Sequence, residues 1–364
     1  MSNTRQIYGP PAEALNALTS AQIIFLKSLP KAELHAHLNG CIPLSCLQEL
    51  AAKYAASEAS ESDSVVREGV EKLQKGVELK EIYDFFGLFT AIYALTASPE
   101  NLAYATRAVL QDFLGVSNSH GRQCAYLELR STPKKTTYMT RLQYVETVLD
   151  EIEKYSEDEA ALIVSLDRRM SPEEARECVD IAVNLRKTGR RVVGVDLCGD
   201  PLAGDMTQFE SHFQRAKAAG LGITLHIAET DKNTPEETMR LLSFHPDRLG
   251  HATFLDEAAK QFVLEHKIAI EICLTSNLLC KTVKNLEDHH MRYHYKLNHP
   301  IAICTDDTLP FRNSLLGEYA LLLAPPPFGL GMSEDDVTLV AEMSMKSRFI
   351  ARDVGDGVDT RTTN

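Results

Sequence analysis

The chain has 364 residues, 44% of them apolar and 24% charged, and 51 acidic against 38 basic side chains give a formal net charge of −13. This balance excludes a disordered chain, and no apolar run reaches the ~18 residues a membrane span needs. So acidic a chain also argues against nucleic acid or an anionic membrane as its partner, because phosphate recruits basic surfaces.

Met1–Pro10 carries one arginine and no apolar segment of a signal peptide, so a cytoplasmic location is expected. The eight cysteines show no CxxC spacing and are read as small buried hydrophobes, not as a disulfide framework or a cysteine zinc site. The first strand-like run is Ala32–Leu38, with His35 and His37 two residues apart. Alternation along a strand points both the same way, into the molecule.

A long interruption, Asn39 to Cys124, comes next. Within it Ile82, Phe85, Phe86, Phe89 and Ile92 lie near helical spacing, which reads as core packing or as a helical lid over a site. Ala55–Ser64 is small and polar and reads as a loop. Seven further apolar runs follow: Ala125–Arg130, Ala161–Asp167, Val192–Gly199, Ile223–Ala228, Arg248–Ala252, Ile268–Leu274 and Ile301–Thr305. Helical signals separate them. Ser171-Pro172-Glu173-Glu174 and Thr234-Pro235-Glu236-Glu237 each place a cap, a proline at the first turn and acids at the helix start.

Runs apolar on both faces suit buried parallel strands. Eight strand–helix units favour an α/β fold, a (β/α)8 TIM barrel with a helical insertion after strand 1, over an open doubly wound sheet, whose GxGxxG fingerprint is absent. The expected organisation is one hydrolase barrel domain over residues 1–352, an insertion or lid over 39–124, and a flexible tail over 353–364.

On that scaffold the polar residues converge. His35, His37, His226, Glu229, His251, Asp306 and Asp307 all fall at the C-terminal ends of the expected strands, the catalytic rim of such a barrel. Imidazoles with one carboxylate make a nitrogen/oxygen cage for a single Zn²⁺ per chain, with His35, His37, His226 and Asp306 as ligands. Two-metal relatives on this barrel use a bridging lysine, which Val195-Asp196-Leu197-Cys198-Gly199 lacks. Bound zinc brings the pKa of water to roughly 7. His251 is placed to take or orient its proton, and Glu229 to shuttle one.

The motifs HAHLNG (His35–Gly40), VDLCGDP (Val195–Pro201), LHIAE (Leu225–Glu229), RLGHAT (Arg248–Thr253), LTSN (Leu274–Asn277) and CTDD (Cys304–Asp307) resemble the adenosine/AMP deaminase superfamily, from about Leu29 to Tyr319. HAHLN and Ser131-Thr132-Pro133-Lys134 are most similar to its adenosine deaminase-like branch, the N6-methyl-AMP deaminases. The resemblance implies a zinc barrel that removes a group from purine C6, with catalytic Glu229, His251 and Asp306. It implies that Glu229 protonates purine N1, that His251 and Asp306 orient and deprotonate water, that Asp307 bonds N7 and the Gly199 N–H bonds N3. The substrate side then comprises His37, Asn39, Phe86, Ser131, Thr132, Pro133, Lys134, Asp167, Gly199, Glu229 and Asp307. Asn39, in place of an aspartate, and Lys134 favour a 5′-phosphate.

The expected ligand is a small-molecule purine nucleotide, bound by a monomer without nucleic acid or membrane partners. The competing readings are plain adenosine deamination and a non-catalytic purine or metal binder. The family's HAGE reads His226-Ile227-Ala228-Glu229 here, and the extra methyl is expected to crowd the pocket slightly. His289, His290, His294 and His299 are read as a solvated helix face in preference to a second metal site. Asp167 bonds the ligand or pairs with Arg168 or Arg169.

Overall fold

Runs of Val, Ile and Leu have two apolar faces to bury, and a barrel gives each face its own layer. The computed structural model describes residues 7–55, 64–75, 88–116 and 121–349. Eight strands run β1 (Ala32–His37), β2 (Tyr126–Ser131), β3 (Ala160–Asp167), β4 (Val192–Cys198), β5 (Gly222–Ile227), β6 (Arg248–His251), β7 (Ala269–Ile272) and β8 (Ile301–Ile303). They pair in sequence order, each parallel to the next. A parallel bridge between Ala36 and Asp306 brings β8 round to β1, with the Asp306 N–H donating to the His35 carbonyl at 2.8 Å. This is the (β/α)8 barrel, and the open-sheet alternative is excluded.

Outward side chains such as Leu127, Leu129, Val164, Leu225 and Ile270 pack in the layer beneath the helices. Inward ones, Ala32, Leu34, Ala161, Ile163, Val193 and Ala302, form a separate cluster closed by Phe349. The Phe349 ring lies where a Cβ on Gly194 or Gly222 would come within 2.7 or 2.5 Å of it. It also stacks 3.6 Å from the Arg248 guanidinium. Gly222 begins β5, so Phe349 plugs the N-terminal end of the barrel and leaves the opposite end for chemistry.

The helical start signals are realised. Pro172–Lys187 begins with a Ser171/Glu174 capping box, and Thr234 caps Pro235–Leu242. Between β1 and β2 stand the helices Leu44–Ala55, Ser64–Lys75, Phe89–Leu95 and Pro99–Leu114. Ile92 is buried and Phe89 packs against the same core. Ile82, Phe85 and the candidate Phe86 lie outside the described residues, as do 56–63 of the expected loop and the 353–364 tail. The eight cysteines are thiols, with no disulfide between them, and only Cys280 among them is exposed. No described helix is long and apolar enough to cross a membrane.

Two irregularities shape the interior. In β1 an extra residue sits between Glu33 and Ala36, a bulge that turns both Leu34 and His35 inward. The backbone groups it frees are caught locally: Glu33 accepts the His35 N–H at 2.8 Å, and the Arg130 guanidinium donates to the Leu34 carbonyl. β4 carries a similar extra residue at Val193, between Val192 and Gly194.

Candidate active site

Three chain reversals at the C-terminal rim, carried by four residues, build the site. Ala228, His251, Ala252 and Asp306 have left-handed φ values of 49°, 60°, 50° and 63°. For residues other than glycine this conformation costs about 1–2 kcal/mol each, and such strain collects where side chains must be re-aimed. Leu249 faces the outer layer and Gly250 faces inward, where an added Cβ would lie 2.9 Å from His35 Cε1. Plain alternation would send His251 outward; its left-handed turn brings the ring within 4.9 Å of His35. Gly40, in the first motif, is likewise required by close approach, since a Cβ there would lie 1.7 Å from Asp307 Oδ1.

His35, His37, His226 and Asp306 converge. His37 Nε2 lies 3.3 Å from His35 Nε2 and 3.2 Å from His226 Nε2. Asp306 Oδ1 is 3.7 Å from His35 Nε2 and 3.6 Å from His37 Nε2. The tautomers follow from the partners behind. His35 Nδ1–H donates to Glu271 at 2.6 Å, and His226 Nδ1–H to the Leu197 carbonyl at 2.8 Å, with Asp196 at 3.0 Å. The Nε2 lone pairs therefore face one another.

A tetrahedral ion with ligand distances of roughly 2.0–2.1 Å has edges of about 3.3–3.4 Å, so the observed spacing fits one such ion. Burial, with the nearby Arg130 charge, holds His35 far below the usual imidazole range. Burial, then His226, pushes His37 down to about 3. Both are neutral at pH 7, as metal ligands must be. Burial also opposes a charge on His226, but the Asp196 carboxylate prevails and lifts it to about 9, so the ring takes a second proton at pH 7 that a metal ion would have to displace to reach Nε2. Among the described residues, ligand atoms within 4.8 Å of one another also join His251 to His35 and His226, and Cys273 to His35 and Asp306.

The Asp306 carboxylate faces two ways. Its Oδ1 looks at the imidazole cluster, whereas Oδ2 lies 3.8 Å from His251 Nε2, which is 3.5 Å from Glu229 Oε1. Glu229 Oε2, Asp307 Oδ1 and Asn39 Nδ2 are buried without a hydrogen-bond partner. Unsatisfied buried polar atoms on one rim mark where a polar ligand docks. Burial and the neighbouring Asp306 charge push the Asp307 carboxyl well above its ordinary range.

The substrate-side candidates form a second arc. The Tyr144 hydroxyl donates to Asn39 Oδ1 at 3.2 Å, leaving the Asn39 amide N–H₂ free of it, and Tyr144 is 2.7 Å from Ser131 Oγ. Ser131 thus acts on this arc through Tyr144. Thr132 Oγ1 lies 3.6 Å from Cys198 Sγ, and Lys134 Nζ sits 4.8 Å over the Tyr93 ring, two residues after Thr132 along the rim loop with Pro133 between them. Asp167 is held by Arg169 through the backbone N–H at 2.9 Å and the guanidinium at 2.7 Å, which outweighs burial and keeps its carboxyl below the usual range. Arg168 is buried, pairs with Glu237 at 2.8 Å and donates to the His226 carbonyl at 3.2 Å. Gly199 has φ 101° and faces Asp167.

Ala228 is buried in the apolar cluster, and its methyl sits on a left-handed backbone. One expectation is corrected. The segment His289–His299 is no solvated face: His289, His294 and His299 are 2–3% exposed. His289 Nε2 bonds Asn277 Oδ1 at 3.1 Å and His299 Nε2 the Ile268 carbonyl at 2.7 Å.

Sequence reasoning missed the supports of the site. Arg130, Asp196, Arg248 and Glu271 are buried inside the barrel, as is Glu128. Glu271 accepts from His35, from Arg130 at 2.8 Å, from Arg248 at 2.7 Å and from Thr224 at 2.9 Å. Arg130 also faces Asp196 at 3.3 Å. The available signal was a charged residue within an apolar run. Tyr93 and Tyr144, from the insertion and from the helix Arg141–Ile152, gave no such signal.

A family model described as adenosine deaminase matches residues 30–360. An N6-methyl-AMP deaminase of Mus musculus is 37% identical over 312 residues, 82% of this chain and 82% of that protein. A crystal structure of an Arabidopsis N6-mAMP deaminase superposes with a TM-score of 0.76 at 34% identity, covering 90% of this chain and 95% of the other. The Arabidopsis protein crystallised with IMP gives 0.75 at 33% identity, covering 90% and 94%.

Proposed function

The chain belongs to the adenosine deaminase family, and on that premise we propose that it converts N6-methyl-AMP and water to IMP and methylamine. As a family member it is a metal-dependent hydrolytic deaminase; the nucleotide and the metal, Zn²⁺, are the proposal. The observation that carries it is the rim on which four ligand atoms at 3.2–3.7 Å stand beside the unpartnered Glu229 Oε2 and Asp307 Oδ1. His35, His37, His226 and Asp306 would hold the ion, which supplies an acidified water near neutral pH.

The other steps belong to side chains. His251, between Glu229 and the second Asp306 oxygen, takes the proton of the attacking water and steers its lone pair. Glu229 donates a proton to purine N1, which draws electrons from C6 and opens it to attack. Asp307 bonds N7 and the Gly199 backbone N–H bonds N3, holding the ring in plane. The proton that His251 took from water passes to the departing nitrogen, the C6–N bond breaks to release methylamine, and the remaining O–H proton returns to Glu229 as the C6 carbonyl of IMP forms.

At the other end of the ligand, the Asn39 amide donates toward the 5′-phosphate, supported by Tyr144 holding its carbonyl oxygen. Lys134 adds a compact positive charge. Eight cysteines kept as thiols support a cytoplasmic setting. The test is product analysis. Incubation with N6-methyl-AMP should yield IMP and methylamine in equal amounts, abolished by stripping the metal. Turnover of adenosine to inosine with N6-methyl-AMP untouched would return the plain adenosine deaminase reading.

A further inference from the structure

The histidine-rich segment just before β8 has no part in the chemistry above, yet His289 and His290 are packed against the site and held by hydrogen bonds. His290 Nε2 lies 2.8 Å from the carbonyl oxygen of His251. A carbonyl only accepts, so Nε2 carries the proton. The His290 ring stacks on His289 with centroids 4.5 Å apart and planes 19° apart. His289 is fixed in turn: its Nδ1 accepts the Met291 N–H at 3.1 Å, so its Nε2–H donates to Asn277 Oδ1 at 3.1 Å. The Asn277 amide then donates to Thr253 Oγ1 at 3.2 Å.

Every donor in this chain has one direction, and both ends grip the same three residues, His251 to Thr253. That turn is the strained one, with His251 and Ala252 in the left-handed region. A side chain aimed by a strained backbone keeps its aim only if the surroundings over-determine it. Burial keeps His289 and His290 neutral at pH 7, the latter pushed down to about 4, so the stack carries no charge next to the site.

We propose that His290 is a positioning residue, which with the His289–Asn277–Thr253 chain clamps the left-handed turn that aims His251 at Glu229 and Asp306. The inference rests on the deaminase reading for what His251 does, and on geometry alone for what holds it. His290→Phe keeps the ring and its stack but removes the donor. His290→Gln restores an N–H at a similar reach.

Misplacing a reacting group by about 1 Å can cost a hundredfold, so His290→Phe should lower kcat by about ten- to a hundredfold. KM and metal content should stay near wild type. His290→Gln should recover most of the rate, which a packing role would not produce. Thr253→Val, at a part-exposed site, should lower kcat several-fold and serves if His290→Phe fails to fold.

Crystal structures supply a readout independent of substrate: in His290→Phe the His251 ring should leave its place 3.5 Å from Glu229. A His251 unmoved in that structure, a wild-type kcat in His290→Phe, or an equal loss in His290→Gln would overturn the clamp. Wild-type inactivity on N6-methyl-AMP would count against the proposed function, and the position of His251 would still decide the clamp.

Discussion

Glu229 stands at the rim with one carboxylate oxygen near His251 and the other buried without a partner. A group so placed can hand a proton to a ring nitrogen that docks against it. Glu229→Gln keeps the shape and cannot deliver the proton. Turnover should fall at least about a hundredfold, the lower end for general acid–base catalysis, with metal content unchanged. Steady-state kinetics with metal analysis checks this; a near-wild-type rate would remove Glu229 as the acid.

The buried histidines make a second residue-scale prediction. His290, packed by His289, His251 and His294, titrates near 4 in the folded chain, against about 6.5 unfolded. Between those values the unfolded state takes the proton first, so wild-type stability declines as pH falls through the window. His290→Phe lacks that term. Its deficit in Tm against the wild type should therefore be smaller at pH 5 than at pH 7.5. A constant or widening gap in thermal melts would show that His290 is not held neutral.

At the scale of elements, the strands carry the proposed metal site from below. Glu271 on β7 and Asp196 on β4 fix the two histidine tautomers, and Arg130 on β2 faces both carboxylates. Supporting groups of this kind are typically worth ten- to a hundredfold in metal affinity. Glu271→Gln should weaken zinc by about that factor in a chelator competition, while Glu128, on the far side of Arg248, stays paired at 2.6 Å. Unchanged affinity would mean that His35 is oriented by the strand alone.

Much of this was legible in the sequence. Alternation put His35 and His37 on one side, and short apolar runs located all eight strands. The bulge in β1 was invisible, because Leu34 gives no sign that it breaks the alternation. The left-handed turns at His251 and Asp306 were equally hidden, since neither position is a glycine. His289 and His290 were misread because a pair of polar rings flanked by Asp288 and Arg292 looks like a surface. Glu271 and Arg130 could have been found, for a charge amid Ile and Leu is either paired or absent.

For the whole molecule, the two barrel ends divide the work. Phe349 and Arg248 close one end, and the rim with its insertion serves the other. The net charge of −13 repels a nucleotide at long range, so capture falls to the few local donors. Asn39 Nδ2, buried and unpartnered, and Lys134, seated over Tyr93, are the donors proposed for the phosphate. A hydrogen bond to a charged group contributes about 1.5–3 kcal/mol, or ten- to a hundredfold. The deciding measurement is kcat/KM for N6-methyl-AMP and for N6-methyladenosine, in wild type and Lys134→Ala. The wild type should prefer the monophosphate by at least about tenfold, and Lys134→Ala should lose that preference while nucleoside activity holds. Equal wild-type values, or equal loss on both substrates, would contradict a nucleotide deaminase.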